Sequence, residues 1–198
     1  MQEPGSRQRM VEAAIQLMRG SGLSGAGINE VVRASAAPKG SVYYFFPAGK
    51  EQLVSEALTE YAGRVQEFID TAMKGARSDA QKMRRLFEAF AQRVEEGEFR
   101  KSCAFGAVCL DLEAGQDALR EVIEQAFDAW TALIASHLDL GEPLRTRAFA
   151  RLTVTAIEGA YIVARAERSG RAFREAGNWL SQMATAKSPK SATKDRSR

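Results

Sequence analysis

A short run of hydroxyl, aromatic and cationic side chains stands out near residue 40. It reads Ala37-Pro38-Lys39-Gly40-Ser41-Val42-Tyr43-Tyr44-Phe45-Phe46. Val42, Phe45 and Phe46 are spaced i, i+3 and i+4, so in a helix they share one apolar stripe. The two neighbouring tyrosines cannot both join that stripe, and the polar residues of the run are left on the other faces. Hydroxyls, an ammonium and aromatic edges suit phosphate oxygens and base edges, so the run predicts contact with DNA.

Two helical patterns upstream would position this run. Apolar residues recur at helical spacing from Val11 to Met18, and Gly20-Ser21-Gly22 breaks that pattern. A second, shorter pattern covers Ile28 to Ser35, after which Pro38 stands where a third helix can begin. Three short helices with a tight turn before the third predict a helix-turn-helix, whose third helix reads the major groove.

The motifs on either side of the turn carry a family resemblance. Gly27–Val31 reads Gly-Ile-Asn-Glu-Val, and Ala37–Tyr44 reads Ala-Pro-Lys-Gly-Ser-Val-Tyr-Tyr. On these motifs, residues from about 5 to 58 resemble the DNA-binding domain of the TetR family of bacterial repressors, in the drug-sensing subgroup named for LmrA and YxaF. Ala26, Ala36 and Phe45 depart from the pattern, since relatives often carry Thr, Gly and His there. If Ala36 adopts a left-handed conformation, it costs about 1 kcal/mol relative to Gly.

Together, the run and the resemblance predict a set of DNA contacts around the third helix. Lys50 is included because its ammonium opposes the dipole of the helix that it begins, and a nearby phosphate would explain that placement. A plain solvated lysine is the alternative for this residue. The predicted DNA-binding residues are Lys39, Gly40, Ser41, Tyr43, Tyr44 and Lys50.

The rest of the chain reads as helix, without the period-two alternation of strands. The predicted fold is therefore all-α with about nine helices. We predict a helix-turn-helix DNA-binding domain over residues 1–49 and a helical ligand-binding and dimerisation domain over residues 50–187. A disordered basic tail is predicted over 188–198. The longer helical segments are predicted at Lys50–Met73, from Ser78 or Asp79 to near Gly97, and at Gln116–Leu138, Leu144–Arg168 and Phe173–Ala186.

Charge is distributed unevenly along the 198 residues. The net charge is +3, with +3 in residues 1–50, +4 from residue 187 onward and therefore −4 in between. A basic head on an acidic body suits DNA binding at one end.

Composition and spacing argue against several other classes of protein. No apolar run approaches the roughly 20 residues of a membrane span, and the N-terminus lacks the apolar segment of a signal peptide, so we expect a cytoplasmic protein. Cys103 and Cys109 lie about 240° apart on a helix, and the chain has one histidine, so we expect no metal site and no cofactor. The Gly-x-Gly-x-x-Gly pattern at residues 20–25 lacks the preceding strand of a dinucleotide site.

The middle of the chain offers a candidate ligand pocket. In the TetR family the matching helices enclose an inducer cavity, so the resemblance implies that several central residues line one, although ordinary core packing is the alternative. Glu158 stands out because an unpaired buried carboxylate is costly. It could pair with a cationic ligand, bridge to Arg151 or Arg165, or face solvent. The predicted ligand-binding residues are Phe87, Phe90, Cys103, Phe105, Gly106, Cys109, Leu110, Trp130, Glu158 and Tyr161.

A stripe of small residues follows on the next predicted helix. It would let another helix approach closely, within the chain or from a second copy. The resemblance favours a homodimer, since relatives form a four-helix bundle from their last two long helices. The predicted interface residues are Leu152, Ala156, Gly159, Ala160 and Val163.

These features predict a ligand-responsive transcriptional repressor, not an enzyme. It would bind a palindromic DNA operator as a dimer, and a small, mostly apolar or aromatic effector would release it. Two other classes stay open from the residues. One is a helical enzyme, for example a hydrolase with Cys103 or Cys109 as nucleophile and His137 as base. The other is an interaction module that binds no DNA.

Overall fold

The computed structural model describes residues 5–185, apart from the side chain of Lys39. Within that range the chain forms nine α-helices and no strand, which confirms the predicted all-α architecture. The predicted tail over 188–198 lies outside the described residues. None of the described helices is long and apolar enough to cross a membrane.

The first three helices form a compact head. Their apolar residues bury together, and Val42 and Phe46, on either side of the third helix, are 0% exposed. The third helix is a single turn, so packing rather than intrinsic propensity must hold it. The head comprises α1 (Ser6–Gly25), α2 (Ile28–Ser35), a 3-10 turn (Lys39–Ser41) and α3 (Val42–Phe45).

Ala36 makes the turn between the second and third helices. Its φ of 50° and ψ of 31° place it in the left-handed region, where glycine is the easier residue. Arg9 of α1 donates from Nε to the carbonyl oxygen of Ser35 at 3.1 Å. This bond satisfies a carbonyl at the end of α2 and helps to hold the strained turn in place.

Six further helices form the body. The long α4 has the bounds predicted for it, and the other long helices differ from prediction by a few residues at their ends. Ser78 caps the next helix, since its Oγ accepts from the Gln81 backbone N–H at 3.2 Å. The body comprises α4 (Lys50–Met73), α5 (Asp79–Glu96), α6 (Ala104–Leu110), α7 (Asp117–Ser136), α8 (Pro143–Glu167) and α9 (Arg171–Thr185).

The α5 and α9 helices lie close together along their length. Gly177 of α9 allows this approach, because a Cβ there would meet Cβ of Phe87 at 2.5 Å. Arg174 of α9 donates to the carboxylates of both Glu88 and Glu95 on α5, at distances from 2.6 to 3.0 Å. These contacts fix α9 against the body.

The C-terminal part of α1 is kinked. Ser21 and Gly22 leave helical geometry, so the predicted break at residues 20–22 is a kink within α1 rather than its end. Gly22 has a φ of 68°, and a Cβ there would overlap Oδ2 of Asp111 and lie 3.2 Å from the Ala107 carbonyl oxygen. The same Asp111 oxygen accepts from the Ser24 backbone N–H at 3.0 Å. The kink therefore ties the head to α6, and only glycine fits it.

Further hydrogen bonds anchor the same part of α1 to the body. The Ser102 backbone N–H donates to the Arg19 carbonyl at 2.8 Å, and Arg19 Nε donates to the Ser102 carbonyl at 3.1 Å. Arg165 of α8 donates to the Gly20 carbonyl at 3.2 Å. The end of α1 is thus held from two directions, by the segment before α6 and by α8.

Replacing Gly22 by alanine tests the kink. We expect Gly22→Ala to lower the free energy of unfolding by about 1–3 kcal/mol, because the positive φ becomes strained and Asp111 must move. The matched control is Gly20→Ala, where a Cβ meets nothing within 4 Å. Gly20→Ala should be neutral or slightly stabilising in urea denaturation. Equal free energies of unfolding for the two variants would contradict this account of the kink.

Candidate DNA-binding face and ligand cavity

One face of α3 presents two tyrosines to solvent. Tyr43 is 63% exposed and Tyr44 is 80% exposed, whereas the adjacent Val42 and Phe46 are fully buried. Phe45 is only partly buried, and its ring meets the Tyr44 ring edge-on at a centroid distance of 5.0 Å. The apolar stripe thus fixes the helix, and its outer face carries two hydroxyls on rigid rings. Such a face can donate hydrogen bonds to phosphate oxygens or stack against sugar and base edges.

The other residues of the predicted run are placed less uniformly. Gly40 is exposed, and a Cβ there would meet nothing within 4 Å, so space alone does not require glycine. Ser41 donates from Oγ to the Pro38 carbonyl at 2.6 Å, so its hydroxyl hydrogen is already used within the chain. The side chain of Lys39 lies outside the described part of the structure.

Lys50 has a partner within the chain. Its Nζ donates to the Leu23 carbonyl oxygen at the end of α1, at 2.9 Å. This bond accounts for its position at the start of α4 without a phosphate. Its contact with DNA therefore stays a prediction, and its observed role is to join α4 to α1.

A cavity of about 780 Å³ lies between the end of α1, the α6 segment and α8. Most of its lining is apolar, and Phe127 of α7 forms part of the wall. Its entrance side carries Cys109 and Leu110, both exposed. The predicted residues that line it are Cys103, Gly106, Cys109, Leu110, Glu158 and Tyr161.

The other four predicted pocket residues lie elsewhere. Phe90 and Trp130 line a narrower inner pocket, which shares Cys103, Glu158 and Tyr161 with the large cavity. Phe87 and Phe105 are fully buried and line neither pocket. They are core aromatics, because Phe87 packs against α9 and the Phe105 ring lies 5.0 Å from Trp130.

Sequence reasoning missed Phe127 of α7, three residues in and beside α6 (Ser102, Ala107 and Asp111), and two longer parts of the lining. The first is the kinked end of α1, Gly20 to Gly22, for which no local signal exists. The second is the rest of the α8 face that carries Glu158. Residue spacing could have revealed it, because its members lie on both sides of Glu158 at steps of three and four residues. The missed α8 residues are Arg151, Val154, Thr155, Ile162, Arg165 and Ala166.

Glu158 is the carboxylate at the junction of the large cavity and the inner pocket. Burial raises its pKa from 4.5 to about 7, and a hydrogen bond from the Cys103 thiol opposes that rise. Gly106 leaves room for the carboxylate, since a Cβ at that position would overlap Glu158 Oε2. The pKa of the Cys103 thiol is raised well above its usual range by burial and by the nearby Glu158 charge, so this cysteine is not an activated nucleophile.

The raised pKa of Glu158 makes stability depend on pH. Because the unfolded carboxylate loses its proton first, stability falls as pH rises from about 4.5 to about 7. We expect Glu158→Gln to raise the free energy of unfolding at pH 8 by roughly 1–3 kcal/mol, and to change it little at pH 4. Urea denaturation at both pH values measures this. The same difference at pH 4 and pH 8 would show that ionisation of Glu158 is not the cause.

The outer surfaces of α8 and α9 form an exposed apolar face, here termed the α8–α9 face. Of the predicted interface residues, Leu152, Gly159 and Val163 are exposed on it and Ala156 is partly buried. Ala160 is 5% exposed and packs inside the chain, because it lies about 100° round the helix from Gly159. Other large apolar side chains are exposed on the same two helices, and of these Ile162 also lines the cavity: Leu144, Ile162, Trp179 and Met183.

The cysteine–histidine arrangement considered for a hydrolase is not brought together in the described residues. His137 has an acid partner that the sequence did not reveal, since its Nε2 lies 3.0 Å from Oδ1 of Asp70. It does not line the cavity that holds Cys103 and Cys109. No group of three or more His, Cys, Asp or Glu side chains in the described range could hold a metal ion.

Comparison with known proteins matches both parts of the chain. Residues 10–57 match the family described as bacterial regulatory proteins, tetR family. Residues 80–178 match the family described as transcriptional regulator LmrA/YxaF-like, C-terminal domain. The HTH-type transcriptional regulator Rv0196 of Mycobacterium tuberculosis is 35% identical over 173 residues, covering 83% of this chain and 86% of that protein.

Solved structures share the fold. A regulatory protein TetR from Rhodobacter sphaeroides superposes with a TM-score of 0.80 at 19% identity, over 89% of this chain and 97% of its own. The TetR family transcriptional regulator CifR, solved as a cysteine mutant with 26-bp double-strand operator DNA, has a TM-score of 0.77 at 17% identity. That match covers 92% of this chain and 98% of CifR.

Proposed function

The chain belongs to the TetR family of bacterial transcriptional regulators, with an LmrA/YxaF-like C-terminal domain, and we propose that it is a ligand-released repressor. In this proposal a cytoplasmic homodimer binds a palindromic operator, and a small, mostly apolar or aromatic molecule releases it. Residues 1–49 are the DNA-binding domain, and residues 50–187 bind the ligand and the second copy. The family consists of transcriptional regulators, not enzymes, which removes the hydrolase alternative.

The observation that carries the DNA-binding part is the outer face of α3. Tyr43 and Tyr44 stand exposed on a one-turn helix that is held by the fully buried Val42 and Phe46. Monomeric proteins have little reason to fix two adjacent tyrosines in solvent, whereas a major-groove reader needs rigid, hydroxyl-bearing side chains there. The net charge of +3 in the first 50 residues also favours DNA binding by the N-terminal head. CifR, which has the same fold, was solved with operator DNA.

The α8–α9 face supports the homodimer. Exposed Leu, Ile, Val, Trp and Met side chains are carried by two helices that contact each other, and exposed apolar surface of this kind favours an interaction surface. Gly159 sits within it with nothing within 4 Å of its missing Cβ, so a helix from a second copy can approach closely. A two-fold arrangement places two heads on one duplex, with half-sites about one helical turn apart or somewhat more.

The position of the cavity supports control by a ligand. Its wall includes the kinked end of α1, and the rest of α1 packs in the head. Carbonyls of this segment are held by Arg165 of α8 and by Lys50 of α4. A molecule that fills the cavity pushes on Gly20 to Gly22, and it thereby changes the angle between head and body. A conformation in which the two heads have the wrong spacing binds the operator less tightly. The difference between the free energies of operator binding with and without the ligand is the coupling free energy.

Selection from random DNA tests the proposal. Purified protein is incubated with a pool of random 30-bp duplexes, and bound DNA is recovered and sequenced over successive rounds. We expect enrichment of an inverted repeat, and a steep fall in affinity with salt because phosphate contacts release counterions. A pool that shows no enriched sequence, or an enriched sequence with no two-fold symmetry, contradicts the proposed function.

A further inference from the structure

Within residues 5–185, Glu158 is a carboxylate without a cationic partner, and it lies where the apolar cavity meets the inner pocket. The hydrogen-bond partner found for its side chain is the Cys103 thiol. Tyr161, one turn further along α8, lines the same space and is only 4% exposed. A carboxylate that meets an apolar cavity without a cation is costly, so the position of Glu158 points to a ligand that supplies the opposite charge.

The cations that line the cavity are already engaged. Arg151 forms an ion pair with Asp128 of α7. Arg165 donates to the Gly20 carbonyl at 3.2 Å and lies 3.5 Å from Ser102 Oγ. Both arginine side chains are exposed, whereas Glu158 also lines the inner pocket. Neither arginine contributes to the pKa of Glu158, which burial and the Cys103 thiol determine. The two arginines of the described lining thus have partners of their own, as does the Asp111 carboxylate, which accepts from the Ser24 backbone N–H.

We infer that the effector of this protein is a lipophilic aromatic amine, whose ammonium group binds Glu158 at the inner end of the cavity. This inference rests on the proposed function, because it names the chemical class of the ligand that the cavity takes. The ammonium supplies the cation that the carboxylate lacks among the described residues, in the space that Tyr161 also lines. The aromatic body lies against Phe127 and Val154. A partly buried carboxylate on an apolar wall favours such a partner more strongly than a fully exposed carboxylate does, because water screens the pair less.

A matched pair of fluorescent probes tests the ligand class. Anthracenylmethylamine is a cation at neutral pH, and anthracenemethanol is its neutral counterpart of nearly the same shape. Each is titrated with the full chain in the absence of DNA, and fluorescence anisotropy gives the dissociation constant. We expect the wild type to bind the amine at least tenfold more tightly than the alcohol. Equal dissociation constants, or no binding of either probe, would overturn the inference.

The variant Glu158→Gln tests whether Glu158 causes the preference for the amine over the alcohol. The variant should lose at least tenfold in affinity for the amine and keep its affinity for the alcohol, because only the charge is removed. Glu124→Gln is the matched control, since it removes the same charge from the exposed surface of α7 and should change neither dissociation constant. An unchanged amine affinity in Glu158→Gln would show that another group binds the cation. If the variant fails to fold, the ratio of the two dissociation constants for the wild type still decides whether the cavity prefers the amine. The titrations contain no DNA, so their failure leaves the DNA-binding part of the proposed function to the selection experiment.

Discussion

Gly159→Leu is expected to separate the two copies of the chain and to lower operator affinity by at least a hundredfold. The larger side chain pushes α8 away from a closely packed partner, and overpacking costs about 1–3 kcal/mol at each of the two symmetry-related positions. A separated copy carries one head. In a dimer, binding of one head holds the second head at a high effective concentration near the other half-site. A separated copy loses this gain in affinity.

The surroundings of Gly159 make this substitution a clean test. Among the described residues of one chain, nothing lies within 4 Å of a Cβ at this position, so the variant should fold. Leucine is also a better helix former than glycine, by about 0.8 kcal/mol. Gly63→Leu is the matched control, because Gly63 lies within α4 and a Cβ there also meets nothing within 4 Å. Light scattering gives the mass and anisotropy gives the affinity for the selected DNA. A Gly159→Leu protein that keeps the mass of a dimer would place the interface elsewhere.

The double variant Tyr43→Phe, Tyr44→Phe is expected to lower operator affinity by roughly a thousandfold. Each hydroxyl that donates to a phosphate contributes about 1–2 kcal/mol, and a dimer carries four of them, so the loss is about 4 kcal/mol or more. The rings stay in place, including the Tyr44 ring against Phe45. Folding and dimerisation should not change, because both tyrosines are exposed within the chain.

A control substitution separates this effect from a general one. Thr71→Val removes an exposed side-chain hydroxyl 21 residues along α4 from Lys50, about 30 Å away at 1.5 Å per residue. It should leave operator affinity unchanged. If the tyrosine variant binds the operator as the wild type does, the outer face of α3 does not contact DNA, and the helix-turn-helix must use other residues.

Periodicity was sufficient to predict most of the helices. The long amphipathic pattern predicted the extent of α4, and Gly75 in the segment after Met73 marked its end. The short α6 was harder, since seven residues carry too few repeats to show a period. Its importance comes from its contacts with α1. The Arg19 and Ser102 backbone groups that join the two segments are 83 residues apart in the chain.

The cavity was predicted only in part, for a physical reason. Residue type indicates burial, but a cavity depends on where packing fails to fill space, which sequence does not encode locally. Phe87 and Phe105 have the composition of a pocket wall and are core residues. Gly20 to Gly22 resemble a loop in sequence, yet they form the wall that connects the cavity to the head. Glu158 was singled out because a charge amid apolar residues is costly to bury, but the sequence left open a ligand, an arginine or solvent as its partner, and its role stays a prediction.

The most direct test of the account is the affinity of the wild-type chain for a whole operator and for half of one. The selected inverted repeat is compared, at one salt concentration, with the same duplex in which one half-site is scrambled. A dimer with two DNA-reading heads should bind the intact repeat at least a hundredfold more tightly. Equal affinity for the two duplexes would contradict the account, because it would mean that the chain does not read two-fold symmetric DNA with paired heads.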